Sequence, residues 1–560
     1  MAIIYRTAES RRDMEQIFCL NYETFVEEIP QHEPNEARLL VDRFHEENTY
    51  VVAMDGDRLA GMLAVRGRRP FSLDAKIEDF ERLLPGRPER MVEIRLLAVD
   101  KAYRGTRLLH GLIRYLDRYM ETQEYEMAVI SGTTRELKLY EHLGFVPFGG
   151  LVGSGQALYQ PMYLTPATYE ASRAYELIRQ SVSFLAGPVE IRPAVTQGLL
   201  RRPIPHRSRA FRRLQESVSR KLKAMTGADA VHIMLGSGTL ANDVVAGELR
   251  RTGGRGLILV NGEFGHRLLR HAERWELNYD VLESPYGEPF DYKRVEAAAE
   301  QGNYTWMWAV HGETSTGVLN DLERLKAIAG RYQLKLAADC VSSLGAVPVN
   351  LSGVNWASSV SGKALGSYTG LSFVLEGSAG QGEGRGESED QGESEGEGEK
   401  TSSLGIPPYV DAALYRFAEG VPFSQSSNLL GAMDAALDVY EQGEPYAVVS
   451  ERGRLLRESV EAMGLRVLAA PEHQTPYLVT VVLPERLSSR ELGEHMAFQG
   501  FELQYESEYL LARNWVQIAC LGALKNSDMR RMLEHLRLYV QGQANQPEQA
   551  AVSRMAFVME

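Results

Sequence analysis

Three apolar runs in close succession constrain the fold more than any other feature of this chain. They are WAVHGETSTGVLN (308–320), LKLAADCVSSLGAVPVNL (334–351) and WASSVSGKALGSYTGLSFVL (356–375). Each reads as a strand that breaks off in small and polar residues. The apolar part of the second run ends at Asp339. The third reaches Lys363, which is preceded by Gly362 and followed by Gly366, 24 positions after the aspartate.

The segments upstream give that pair a setting. MLGSGTLANDVV (234–245) is an apolar strand running into Gly236-Ser237-Gly238-Thr239 and then into a helical pattern. Glycines and hydroxyls at a helix start expose backbone N–H groups, which suit a phosphate dianion. LILVNGEFGHRLL places Phe264 in a glycine-flanked turn after a strand, where a flat ring can stack on a cofactor or join the core. A polar turn follows at Glu313-Thr314. Phosphate loop, aromatic turn, polar turn, carboxylate and lysine, in that order, are what a pyridoxal phosphate (PLP) site needs. The lysine amine condenses with the aldehyde, and the carboxylate keeps the pyridine nitrogen protonated.

Residues 180–540 resemble the class V aminotransferases of fold type I, in the branch of alanine–glyoxylate, serine–pyruvate and 2-aminoethylphosphonate–pyruvate aminotransferases. The likeness is carried by GPVEIRPAV (187–195), PHRSRAF (205–211), GSGTLAND (236–243), NGEFGHR (261–267), HGETSTGVLN (311–320), ADCVSSLGAVPV (338–349) and SGKALG (361–366). It implies that Ser237, Gly238 and Thr239 hold the phosphate and that Phe264 and Val341 pack on the ring. It implies further that Thr314 contacts the cofactor, Asp339 meets the pyridine nitrogen and Lys363 binds the aldehyde. Such enzymes are homodimers, and Ser424 in PFSQSSNLL matches the position that reaches the partner subunit's phosphate.

The family grips the substrate carboxylate with an arginine in its C-terminal lobe. Here the stretch reads WVQIACLG, and Gln517 stands in that place. A neutral amide cannot supply the charge-assisted fork of a guanidinium. Three readings stay open: a substrate without a carboxylate there, a substitute such as Arg513, or chemistry other than ordinary transamination. Gly362 also replaces the glutamine that many relatives have just before the lysine.

Residues 1–165 form a separate unit with alternating strands, a hairpin signal at Asp55-Gly56-Asp57 and a strand–basic loop–helix run. VEIRLLAVDKAYRGTRLL (92–109) and LYEHLGFVPFG (139–149) make it resemble the GNAT acyltransferases. In that fold, amides after the central strand cradle the pyrophosphate of acyl-CoA, here implying Val99, Arg104, Gly105, Thr106 and Arg107. Arg107 and Leu109 replace the two small residues of the usual loop, so Arg107 both offers a charge and crowds the backbone. LNYETFVEEIPQH (20–32) resembles a subgroup that takes acyl groups from acyl carrier protein. Glu93 occupies the position of a general base and Tyr140 that of the acid for the leaving thiolate; each is equally a residue that packs the sheet.

The remaining organisation is a helical connector at 166–186, a PLP-binding large domain at 187–440, a small C-terminal lobe at 441–542 and a tail at 543–560. An insertion at 377–403, nearly all Gly, Glu, Ser and Gln, buries too little apolar surface to order itself. Three scattered cysteines, no leader-like N-terminus and no long apolar run point to a cytoplasmic chain off the membrane. A net charge of −14 argues against nucleic acid, and the histidines show no metal spacing. The fold class expected is α/β: a GNAT-like mixed sheet, then a fold type I enzyme with a large α/β domain and a small α+β lobe. The activity expected is amino transfer from a small amine or amino acid to a keto acceptor, joined to N-acylation of the related amine. The alternative is a PLP lyase or epimerase with the GNAT-like part as a silent binding module.

Overall fold

The computed structural model describes residues 3–29, 32–104, 108–154, 157–178, 181–378, 405–417, 421–441, 443 and 445–544. The chain divides into two compact units. The first holds 1–182 with 494–501 and 534–539; the second holds the rest. The acidic insertion, beyond its first two residues, and the tail from 545 onward lie outside the described residues.

The first unit is a mixed sheet of eight strands. Ile3–Thr7, Thr49–Asp55, Arg58–Arg66 and Met91–Val99 run antiparallel in that order; Met127–Thr133 follows parallel, and Ala157–Leu164 closes on it antiparallel with Val146–Pro147 and Val152–Ser154 on its far side. The hairpin forms where Asp-Gly-Asp predicts it: Asp55 pairs with Arg58, and Gly56 takes a positive φ of 60°. Helix Arg11–Tyr22 starts at a Ser10–Asp13 capping box and packs Ile17 and Leu20 on one sheet face. Helix Leu108–Thr122 buries Leu108, Leu112 and Leu116 on the other. Met91–Val99 pairs with Met127–Thr133 only from Met91 to Glu93. Beyond that the strands part, and a bulge puts Leu96 at a φ of 54°.

The connector between the units' main sheets consists of two short helices, Pro166–Glu170 and Tyr175–Ile178, then a strand at Val182–Ser183. Thr165 and Pro166 start the first helix well, with a capping box, but Ala171 to Ala174 break it.

The second unit is built on seven strands in the order Ala228–Gly236, Gly370–Gly377, Trp356–Val360, Lys335–Asp339, Trp306–Val310, Arg255–Val260 and Asn278–Glu283. Gly370–Gly377 is antiparallel to both neighbours, and the last five form a parallel run. Both faces are covered. Helices Arg209–Thr226 and Leu322–Arg331 pack on one face through Phe211, Val218, Leu222 and Leu325. Helices Gly238–Thr252 and Glu263–Arg274 pack on the other through Val244, Val245, Leu249 and Leu268. Burial on both faces is why these strands read as continuous apolar runs. A smaller antiparallel sheet, Arg466–Val467, Leu478–Val482 and Trp515–Ala519, forms the C-terminal lobe with helix Pro445–Ala462. Among the described residues no helix is long and apolar enough to cross a membrane, and no group of His, Cys, Asp or Glu could hold a metal ion.

Candidate functional site

In an open α/β sheet, ligands gather at the carboxyl ends of the parallel strands. Here those ends deliver Phe264 after Val260, His311 and Thr314 after Val310, Asp339, and Lys363 after Val360. Asp339 is buried and accepts two hydrogen bonds, from Asn242 Nδ2 at 2.8 Å and from the Val341 N–H at 2.9 Å. Asn242 is oriented by Ser358, whose hydroxyl donates to its Oδ1 at 2.6 Å. Burial raises the pKa of Asp339, while these bonds and the charges of His271 and Lys363 oppose the rise. Lys363 is shifted downward by burial, against the pull of Asp339. Its Nζ lies 6.0 Å from the centre of the Phe264 ring. The Arg267 guanidinium sits 4.7 Å from the same ring.

Two long helices begin here, and their N-termini differ. Helix Glu263–Arg274 is closed by protein. Ser315 Oγ accepts from Glu263 N–H at 2.9 Å, and Glu313 accepts from Phe264 N–H at 3.4 Å and Gly265 N–H at 3.0 Å. Ser315 also donates to Glu313, whose pKa burial pushes up to about 7. Helix Gly238–Thr252 begins at Ser237, whose side chain makes no capping bond. Ser237 and Thr239 are exposed. That terminus therefore presents unspent N–H groups and the positive end of a 15-residue helix.

The glycines mark close approaches. A Cβ on Gly238 would lie 3.0 and 3.1 Å from the two methyl groups of Val341. A Cβ on Gly187 would lie 2.9 Å from Gly362 O and 3.2 Å from Lys363 Cδ. Any larger residue at these positions would take up the space beside the lysine and the helix start.

Gln517 is buried and fully engaged. Its Nε2 donates to Thr314 O and, at 3.0 Å, to Thr480 Oγ1, and its Oε1 accepts from Tyr509 OH at 3.2 Å. Both amide hydrogens are spent on the protein. Arg513 lies 3.5 Å from Glu263 and stacks 4.7 Å from the Tyr286 ring. His311 is buried against Ser343 at 2.9 Å, and burial lowers its pKa to about 4. Ser424 is exposed.

In the first unit, Glu93 is fully buried. It accepts from Ser72 N–H at 2.8 and 3.0 Å and from the Ser72 hydroxyl, and Arg95 lies 3.7 Å away. Tyr140 packs against Gly132, and burial raises its pKa, so the phenol stays protonated near neutrality. Val99 ends the central strand, and its carbonyl accepts from Arg104 Nε at 3.0 Å. Arg104 also pairs with Glu28 at 2.8 Å. Gly105, Thr106 and Arg107 lie outside the described residues.

Residues 12–145 match the acetyltransferase (GNAT) family. Elsewhere the chain is 30% identical over 337 residues to 2-aminoethylphosphonate–pyruvate transaminase 1 of Burkholderia lata, spanning 58% of this chain and 86% of that protein. The chain belongs to the class V aminotransferases. A 2-aminoethylphosphonate–pyruvate transaminase of Pseudomonas aeruginosa is 28% identical over 344 residues, 57% of this class V chain and 86% of its own. Among solved structures, an aspartate aminotransferase of subgroup IV from Thermus thermophilus superposes with a TM-score of 0.56 at 25% identity, covering 64% of this chain and 99% of that one. Alanine–glyoxylate aminotransferase from Nostoc sp. gives 0.56 at 24% identity, over 65% and 95%, and supports the fold alone.

Asn242 and Ser315 were not singled out from the sequence, and Glu313 was placed in the polar turn without its role as a helix cap. Asn242 had a local signal, being four residues after Gly238 and so on the same helix face. The cap supplied by Glu313 had none, since Glu313 stands 48 positions from Gly265, whose N–H it accepts.

Proposed function

We propose that the second unit binds PLP at Lys363 and transfers an amino group from a small amine or amino acid to a keto acid. The observation that carries this reading is the buried carboxylate of Asp339. Its close partners are neutral donors, and Lys363 is near enough to feel its charge. Burial still disfavours its charged form despite these donors and nearby charges; a buried anion is costly unless a cation meets it directly, and a protonated pyridine nitrogen is such a cation. The uncapped helix start at Ser237 to Thr239 and the narrow space between Gly238 and Val341 fit the same group.

When bound, PLP supplies an electron sink for the carbon that carries the amine. Asp339, oriented by Asn242, holds the proton on the ring nitrogen. Ser237, Gly238 and Thr239 take the phosphate with backbone and hydroxyl donors. Phe264 and Val341 would pack on the cofactor's ring, and Thr314 would contact the cofactor. Lys363 Nζ, kept from full basicity by burial, removes the proton from the donor carbon and returns it. Gln517 braces Thr314 and leaves no amide hydrogen for a substrate. The donor is accordingly gripped elsewhere than in an enzyme with arginine at that position. The acceptor is a keto acid of the pyruvate type named for the relatives. The exposed Ser424 is offered to a partner subunit in a homodimer. Adding candidate donors to the PLP-loaded protein should bleach its aldehyde absorption and yield pyridoxamine phosphate, and pyruvate should restore it. A spectrum indifferent to every amine and amino acid would contradict transamination.

For the first unit we infer acyl transfer from acyl-CoA, or from acyl carrier protein, to a related amine. The parted strands beyond Glu93 and Val129 supply free backbone edges for the donor. Tyr140 is protonated and able to meet a leaving thiolate. One observation favours a second reading, a silent binding module: Glu93 is spent on Ser72. Thiol release from acetyl-CoA in the presence of amines separates the two.

A further inference from the structure

A cavity of about 230 Å³ lies in the second unit, and neither Lys363, Asp339 nor Phe264 lines it. Its walls are the turn Ala364–Gly366, helices Ser427–Glu441 and Pro445–Ala462, the segment around Glu190, and the loop after strand Trp515–Ala519. It is far larger than the roughly 10–15 Å³ that one water requires.

Two guanidinium groups line it, Arg192 and Arg452. Arg452 is half-buried; its Nε donates to Asn526 Oδ1 at 3.2 Å and one terminal nitrogen donates to Leu524 O. Neither Arg192 nor Arg452 has an ion-pair partner among the described residues. The one acid on the wall is Glu190, and the Ser183 N–H holds its Oε1 at 2.7 Å. Both arginines line the same cavity, and Glu190 forms an ion pair with neither of them among the described residues. Burial and the charge of Arg192 both lower the pKa of Arg452. Like charges confined in a half-buried space repel. A bound oxyanion removes that repulsion, and planar guanidinium forks match tetrahedral oxyanions in bidentate fashion.

We propose that this cavity binds a small phosphate- or phosphonate-type dianion between Arg192 and Arg452. The site is separate from the helix start at Ser237. Its floor is tied to the lysine turn, because Tyr440 OH donates to Ala364 O at 2.8 Å and Gly345 O at 3.0 Å. Occupancy therefore bears on the backbone that follows Lys363.

The test is calorimetric titration of the full-length, PLP-saturated protein with inorganic phosphate and, separately, methylphosphonate, at constant ionic strength. Saturable binding is expected, weakened at least tenfold in Arg192→Gln and in Arg452→Gln and retained in Arg452→Lys. The tighter of the two probes names the natural class. If Arg452→Gln lowers the unfolding temperature, Arg192→Gln decides, since the Arg192 side chain makes no hydrogen bond to a described residue. Equal affinity in Arg192→Gln, or no saturable heat in the wild type, would overturn the proposal. The same titration without PLP reads the Arg192 dependence independently, so failure of the PLP reading and failure of this one give different results.

Discussion

Asp339 and Lys363 were legible as residues because each ends a buried apolar run, and a charge at such a place calls for an explanation. What tunes them was not legible. Asn242 reaches Asp339 across 97 positions, and only the fold brings them together. Asn242→Ala should therefore lower amino transfer by about tenfold, because Asp339 loses a bond that favours its ionised form. Stopped-flow rates with saturating donor measure it. His311 allows a stability prediction. Burial lowers its pKa from 6.5 to about 4, so the folded state disfavours the charged ring. Its contribution is complete above pH 6.5 and is lost as pH falls toward 4, up to about 3 kcal/mol. Unfolding measured from pH 7.5 to 5 should fall more steeply for the wild type than for His311→Gln.

Among elements, the strands of the second unit were readable because burial on both faces makes them uniformly apolar. Their order in the sheet was not, and neither was the reversed direction of Gly370–Gly377, since periodicity carries no information on neighbours. In the helical connector a good cap and a proline mark the start at Pro166, while the later break and the closing strand at Val182–Ser183 depend on the fold. The two helix starts make the same point: which one is free depends on Glu313, a residue remote in sequence. Gly238→Ala should weaken PLP binding about tenfold, by pushing Val341 from its place, with little effect on folding; equilibrium dialysis reads this. Elsewhere in the unit, helices Pro193–Leu199 and Ser427–Glu441 meet at glycines, and a Cβ on Gly198 would lie 2.4 Å from Gly431 O. Gly198→Ala should cost about 1–3 kcal/mol in denaturant unfolding.

For the whole molecule, each unit carries its own sheet and core. Ligands that bind one folded unit stabilise that unit. Thermal unfolding of the full chain should show PLP raising one transition and acetyl-CoA the other. A common shift of both by either ligand would speak against separate sites. The fusion predicts in addition that the amine formed or consumed by one unit is the acceptor of the other; product analysis with both co-substrates present checks this.

The most direct measurement is borohydride reduction of the PLP-treated protein, followed by peptide mass spectrometry. The account predicts one pyridoxyl adduct, on Lys363, lost in Lys363→Ala and strongly reduced in Asp339→Ala. An adduct on a different lysine, or none at all, would contradict it.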